Sequence, residues 1–414
     1  MLHGVTDNTA SADDISVVVS ISAAPYQRKL ASSLLSAGML RQLAEFVPFL
    51  EIQKPNGDGR LERVKSFPFY AFGNRVMWGV WRRLPRLLRP RPPMIVSAWL
   101  ADRLLAKWIG PSNIVHGCAA LCLASLRAAK RVGAITLVEN ASCHPRHWKK
   151  VEMDERRRFG LKNRVSRGNL TERLLRRMEK EFERCDWIVV PSLVAQQSFA
   201  EYGLQKKTVV VQTGVDAEFF FPVSPPDPAP PVFRVCYVGR VELAKGIGYL
   251  LEAWRRLGLP GAELVLVGEA NPDMRSLLKN CESEGVRLTG FLPAREVARC
   301  YRESNLFVQP SPNEGLAQVL LEAMASGLPV VATDKTGAAD CMTNGTEGLI
   351  VPARDVDALA EAIMWCYQHR EEGVEMGRAA RARIESQFTL DHYNQRVIKL
   401  YRSLTAMASP GKKR

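Results

Sequence analysis

Two glutamates separated by seven residues, Glu314 and Glu322, stand in the run LFVQPSPNEGLAQVLLEAMASGLPVVATD. The run reads as strand, proline-rich turn, helix, glycine stop and strand, so Glu314 precedes a helix and Glu322 lies further along it. Carboxylates facing the end of a strand accept hydrogen bonds from sugar and ribose hydroxyls, and Gly315 exposes backbone amides beside them. Upstream, FRVCYVGRVELAKG ends a strand on Gly239 and Arg240 and opens a helix after Lys245. A glycine there lets backbone approach a ligand closely, and two cations at a helix start suit a diphosphate. Taken singly, each fragment also fits a plainer role: a solvated surface turn, a helix-capping Glu314, a solvent-facing Glu322.

These residues need a scaffold that gathers strand ends. A buried strand at ISVVVSIS (15–22) leads into a helix through about Gly38, and further strands are expected at 94–100 (MIVSAWL), 112–117, 134–140 and 187–192. Helices fall between several of them, including the apolar 118–131 and LVAQQSFAEYG, and KTVVVQTGVD supplies another strand. After FFPVSPPDPAPPVF the alternation restarts, with strands at 233–240, 263–270, 286–291, 306–311 and 329–334 and helices between them. The expectation is an α/β chain of two doubly wound parallel-sheet domains. Its divisions are a disordered lead-in at 1–14, a first domain at 15–221, a stiff proline-rich linker at 222–232 and a second domain at 233–389. A final helix at 390–408 is long enough to reach back to the first domain.

Composition agrees with a folded chain. At 414 residues, 46% hydrophobic and 24% charged, it exceeds what one core usually organises and lies outside the disordered class. No apolar run approaches the ~20 residues a spanning helix needs, and the first residues lack the pattern of a secretory signal. The nine scattered cysteines form no CxxC pair, so they read as reduced thiols in the cytoplasm, and neither a metal site nor a cofactor is expected. The charge is unevenly placed. Residues 1–222 hold 34 Lys and Arg against 20 Asp and Glu, whereas residues 223–414 hold 23 of each. The net +14 therefore belongs to the first half, which implies an anionic partner there: a membrane surface, a phosphorylated acceptor or nucleic acid.

The second half resembles the retaining, nucleotide-sugar-dependent glycosyltransferases of family 4, which have the two-Rossmann GT-B architecture. Four stretches carry the resemblance in order and spacing: TGVDAEFFFP, YVGRVELAKGIGYLLEAW, PNEGLAQVLLEAMASGLPVVAT and GTEGLIVPARDVDALAEAI. The resemblance implies that Arg240 and Lys245 bind the donor diphosphate and that Gly239 belongs to the same turn. It implies that Glu314 contacts the donor sugar near the amides of Gly315, Leu316 and Ala317, and that Glu322 binds the ribose. The first half is less similar. The turn SAAPYQRK lacks the glycine usual in the family after the first strand, although Arg28 and Lys29 follow it. His144, ending ENASCH, stands where the family commonly has a donor-sugar histidine, and His116 reads as structural. Thr213 occupies the first position of TGVD, where many relatives have asparagine.

Residues 67–93 interleave aromatic residues, among them Trp78 and Trp81, with arginines such as Arg82 and Arg83. That mixture suits an anionic bilayer surface, and equally a helix and loop whose aromatics are core. The combined expectation is a cytoplasmic enzyme, peripheral on the inner face of the membrane. It would move a hexosyl unit from a nucleotide diphosphate sugar to a lipid-linked or glycan acceptor, in envelope or exopolysaccharide synthesis. A GT-B phosphorylase or a nucleotide-sugar epimerase would share the fold. A basic nucleic-acid-binding protein would explain the charge but leave the Glu314–Glu322 block without purpose, and no nucleic-acid module is visible.

Overall fold

The computed structural model describes residues 15–21, 25–45, 93–161, 171–222, 232–278 and 285–408. Twelve named strands form two sheets, parallel throughout. The first is built from β1 (Val17–Ile21), β2 (Leu40–Glu45), β3 (Ile114–Cys118), β4 (Ile135–Glu139), β5 (Trp187–Val190) and β6 (Thr208–Val210), in the order β2-β1-β3-β4-β5-β6. The second contains β7 (Phe233–Val238), β8 (Ala262–Val267), β9 (Val286–Gly290), β10 (Leu306–Gln309), β11 (Val330–Thr333) and β12 (Gly348–Val351), ordered β12-β11-β10-β7-β8-β9. The chain is thus a two-domain α/β protein, and the second sheet has the doubly wound dinucleotide-fold order. Its direction of winding reverses between β7 and β10. Both strands are buried nearly end to end, as sheets covered on two faces require.

One expected strand is a helix. MIVSAWL belongs to the helix Pro93–Ala106, with proline in its first turn. The apolar run continues into ADRLLA, where Ala101, Asp102 and Leu105 are buried at helical spacing. Seven apolar residues alone do not distinguish the two periods; the burial three and four residues on does. The stretch 223–231, most of the proline-rich linker, and residues 1–14 lie outside the described residues.

The chain passes between the sheets at two adjacent places. The Val215 amide donates to the Phe388 carbonyl at 2.8 Å, and the Leu390 amide donates back to Val215 at 3.1 Å. Past this crossing, the helix Leu390–Ala408 packs on the first domain. Tyr393, Val397, Tyr401 and Leu404, repeating every three to four residues, join Val17, Val19, Leu30 and Leu34 in one core cluster. The Tyr401 hydroxyl lies 2.6 Å from His116 Nδ1, and Asn394 donates to Ser33 at 2.8 Å. Each fully buried large side chain of this face contributes roughly 1.5–3 kcal/mol, so the terminal helix is an integral layer of the first domain.

Candidate active site at the facing strand ends

The site grows from the two turns at the winding reversal. After β7 the chain runs through Gly239 and Arg240 into a short 3-10 turn, Leu243–Lys245, and then into the helix Ile247–Leu257. Between turn and helix stands Gly246, at φ +75°. A Cβ at Gly246 would lie 2.0 Å from the Pro310 carbonyl oxygen, so only glycine lets the turn after β7 touch the turn after β10. Tyr237 donates its hydroxyl to the Arg240 carbonyl at 2.9 Å, which fixes where the arginine leaves the backbone.

The turn after β10 is held from several sides. The Ser311 hydroxyl donates to the Lys245 carbonyl at 3.3 Å, Thr333 donates to the Ser311 carbonyl at 2.5 Å, and the Glu314 amide donates to the Lys335 carbonyl at 2.8 Å. The Lys245 ammonium and the Glu314 carboxylate meet as an ion pair, their side chains only 14% and 15% exposed. The helix Gln318–Ala325 starts immediately afterwards, and no side chain caps it at Ala317. Leu316 and Ala317 are buried. The start of this helix therefore offers backbone N–H groups next to a lysine. Four residues into the helix, Glu322 accepts a hydrogen bond from the Tyr301 phenol at 3.1 Å. Burial raises its carboxyl to about 7, with the Tyr301 bond opposing.

Opposite this turn stands the first domain. Gly315 is packed so tightly against it that a Cβ would fall 2.7 Å from Ser142 Cα and 2.9 Å from the Ala141 oxygen. Cys143 Sγ donates to the Glu314 carbonyl at 3.2 Å, and the Ser192 hydroxyl donates to the Gly315 carbonyl at 2.6 Å. Arg240 is half exposed; it pairs with Glu242 at 3.1 Å and lies 5.9 Å from the ring centre of Trp148, a first-domain residue. Glu242 is buried, and burial raises its carboxyl while Arg240 and then Lys245 pull it back. Arg240, Glu242, Lys245 and Glu314 thus form one neighbourhood of alternating charge. Glu242 was not singled out from the sequence, although its place between the two cations was the available signal.

His144 stands apart from this group. Its ring accepts from the Arg146 amide at 3.3 Å and so caps the helix Pro145–Arg158. The ring stacks on Tyr202 at 3.8 Å between centres and meets Phe199 edge-on at 5.0 Å. Burial lowers it to about 4, leaving a neutral imidazole. The histidine expected to face the donor sugar has its ring packed against Tyr202 and Phe199. The loop does reach the site, but through Ala141, Ser142 and Cys143, while the proline after His144 commits its ring to capping. His116 is likewise buried and lowered to about 4 by burial, bound to Tyr401. Arg28 and Lys29 lie on the helix Pro25–Ser36, and Lys29 comes within 3.9 Å of Asp391 on the terminal helix. Trp78, Trp81, Arg82 and Arg83 are outside the described residues. Among the described residues, no three His, Cys, Asp or Glu side chains are grouped to hold a metal ion, and no helix is long and apolar enough to cross a membrane.

Comparison with known proteins adds family to geometry. Residues 54–219 match the family model described as Glycosyltransferase Family 4, and residues 232–369 match that described as Glycosyl transferases group 1. The amylovoran biosynthesis glycosyltransferase AmsK of Erwinia amylovora is 33% identical over 168 residues, which is 37% of this chain and 41% of that one. The chain spans about half the length of the curated relatives it matches. A sucrose-phosphate synthase from Thermosynechococcus elongatus superposes with a TM-score of 0.67 at 20% identity, over 95% of this chain and all of the other. Anabaena HepE, solved with UDP-glucose, superposes at 0.61 and 15% identity, over 94% of this chain and all of HepE. The two matched stretches take in β3 to β6 and the whole second sheet, on a GT-B fold, and the chain belongs to the family 4 glycosyltransferases.

Proposed function

We propose that the chain is a retaining hexosyltransferase that takes its sugar from a nucleotide diphosphate donor, held at the β7–β10 reversal. The observation that carries this reading is the Lys245–Glu314 pair at the uncapped start of the 318–325 helix. In the structure these two charges satisfy each other. With donor bound, Lys245 and Arg240 turn to the diphosphate, and Glu314 accepts from hydroxyls of the sugar. As the sugar–phosphate bond breaks, negative charge grows on the leaving diphosphate. Two cations and a row of oriented amides are already aimed there, which is the preorganised electrostatic contribution expected to dominate. Glu322, one helical turn deeper, accepts from the ribose. Retention of configuration is carried over from the family resemblance. HepE was solved with UDP-glucose, so UDP-sugars are the first donors to try.

The acceptor in this reading is lipid-linked or a growing glycan, met at an anionic membrane surface. AmsK is named for amylovoran biosynthesis, and WcaL of Escherichia coli, 29% identical over 212 residues, for colanic acid biosynthesis. The described residues add a surface to the basic first half. Leu100, Leu104 and Trp108 are 57%, 37% and 42% exposed at four-residue intervals, with Arg103 and Lys107 exposed between them. Apolar residues interleaved with cations complement an anionic bilayer rather than a neutral one. The test is release of nucleoside diphosphate from a panel of UDP-, GDP- and ADP-sugars, with and without membrane lipid. Absence of release from every donor would refute the reading.

A further inference from the structure

We infer that Glu155 is a positioning residue: through it the first domain fixes the turn 239–246 that carries Arg240 and Lys245. This rests on the donor-site reading above. The 145–158 helix of the first domain starts where His144 caps it and ends against the second domain. Phe159 and Leu161, just past its end, pack against the second domain's core cluster with Ile247, Leu250 and Leu251. Glu155, on the last turn, is completely buried. One of its carboxylate oxygens accepts from the Tyr249 hydroxyl at 2.7 Å and the other from Arg354 Nε at 2.7 Å. Arg354 also reaches Asp154 at 3.0 Å, and Arg156 pairs with Asp273 at 2.8 Å. Three second-domain elements are thereby tied to one helical turn of the first domain.

Two details connect this tie to the donor turn rather than to the interface in general. Tyr249 stands on the first turn of the 247–257 helix, directly after the Lys245–Gly246 turn. The Phe159 ring lies against Gly248, where a Cβ would come within 2.3 Å of it. The same helix also presents Trp148 to Arg240. Arg354 takes a left-handed backbone, φ +68°, and the next residue, Asp355, caps the following helix, so its reach toward Glu155 is set by a fixed turn. A buried carboxylate held by one phenol and one guanidinium specifies a single arrangement, because any shift of the helix leaves a charge without partners.

The test compares wild type with Glu155→Ala and with Tyr249→Phe, which removes only the hydroxyl and so survives if the first variant does not fold. Amide hydrogen exchange over residues 239–250 should quicken by about tenfold or more in both, the size expected for a lost charge-assisted hydrogen bond, while β4 keeps its protection. UDP, as probe, should bind about tenfold more weakly, and the two substitutions together should cost no more than Glu155→Ala alone. Unchanged exchange at 239–250 in both variants would overturn the inference. That readout needs no ligand, so failure of the donor reading is seen separately, as wild type that binds none of UDP, GDP and ADP.

Discussion

Lys245 and Glu314 form an ion pair across 69 residues of sequence, joining the turn after β7 to the turn after β10 at the point where the second sheet reverses its winding. Each is the other's partner in a site only about one-seventh exposed. A donor that separates them must supply replacements for both, and a diphosphate with a hydroxyl-rich sugar does so.

Lys245→Ala should remove turnover by at least about a hundredfold, the usual scale for losing one transition-state charge partner. The same change leaves Glu314 short of a partner and should cost about 1–3 kcal/mol of stability. Arg240→Ala, at a half-exposed position, should impair turnover with little change in melting temperature. Steady-state rates beside thermal unfolding curves separate the two effects. Wild-type rates in both variants would refute the diphosphate clamp.

Glu322 gives a pH dependence of defined sign. Its carboxyl is raised to about 7 from an unfolded value near 4.5, so between those values the folded state holds a proton that the unfolded state has released. Stability should therefore fall as pH rises from about 4.5 through 7 and level off above, by on the order of 1–3 kcal/mol. Glu322→Gln should flatten that slope. Urea unfolding at pH 5, 6, 7 and 8 checks it, and an unchanged slope in the variant would assign the titration elsewhere.

Gly315→Ala places a methyl 2.7 Å from Ser142 Cα, where neither backbone can yield without the domains parting. Activity should fall by about tenfold or more, as misplacement near 1 Å costs in general. Each domain should keep its fold by circular dichroism. A fully active Gly315→Ala enzyme would mean that this close approach is not the working geometry.

Much of the fold was legible because it rests on period and punctuation. The strands of the second sheet from β7 to β10 fall where short buried runs end at glycine or proline, β11 follows Pro329, and the 294–302 helix falls where it was expected. Other features were not legible. MIVSAWL is short enough to suit either period, and the residues that decide it, Ala101 and Leu105, lie downstream. His144 has the right residue type in the right loop, but its orientation is set by Tyr202 and Phe199, from the 193–200 helix and just beyond it. The alternation Arg240, Glu242, Lys245, Glu314 was half visible: the cations and Glu314 came from spacing, whereas Glu242 needed its burial to be noticed. Contacts between domains, such as Ser192 with Gly315, leave no local trace in sequence because each partner looks ordinary in its own segment.

The exposed stripe on and just after the 93–106 helix bears on the acceptor side. Leu100→Glu with Leu104→Glu should lower co-sedimentation with vesicles containing anionic lipid by about tenfold, since it exchanges apolar contact for like-charge repulsion. Wild-type binding should weaken with added salt. Equal binding to neutral and anionic vesicles would remove the anionic surface from the proposal, and binding to neither would remove the membrane and leave a soluble glycan as the acceptor.

The most direct measurement is thermal stabilisation by a panel of UDP-, GDP- and ADP-sugars, applied to wild type, Lys245→Ala and Glu322→Gln. A ligand that binds only the folded state raises the melting temperature with concentration. The expected result is that one nucleotide class stabilises wild type and that both variants lose most of that shift. Stabilisation of all three proteins alike, or of none by any donor, would contradict a donor site built on the Lys245–Glu314 turn and Glu322.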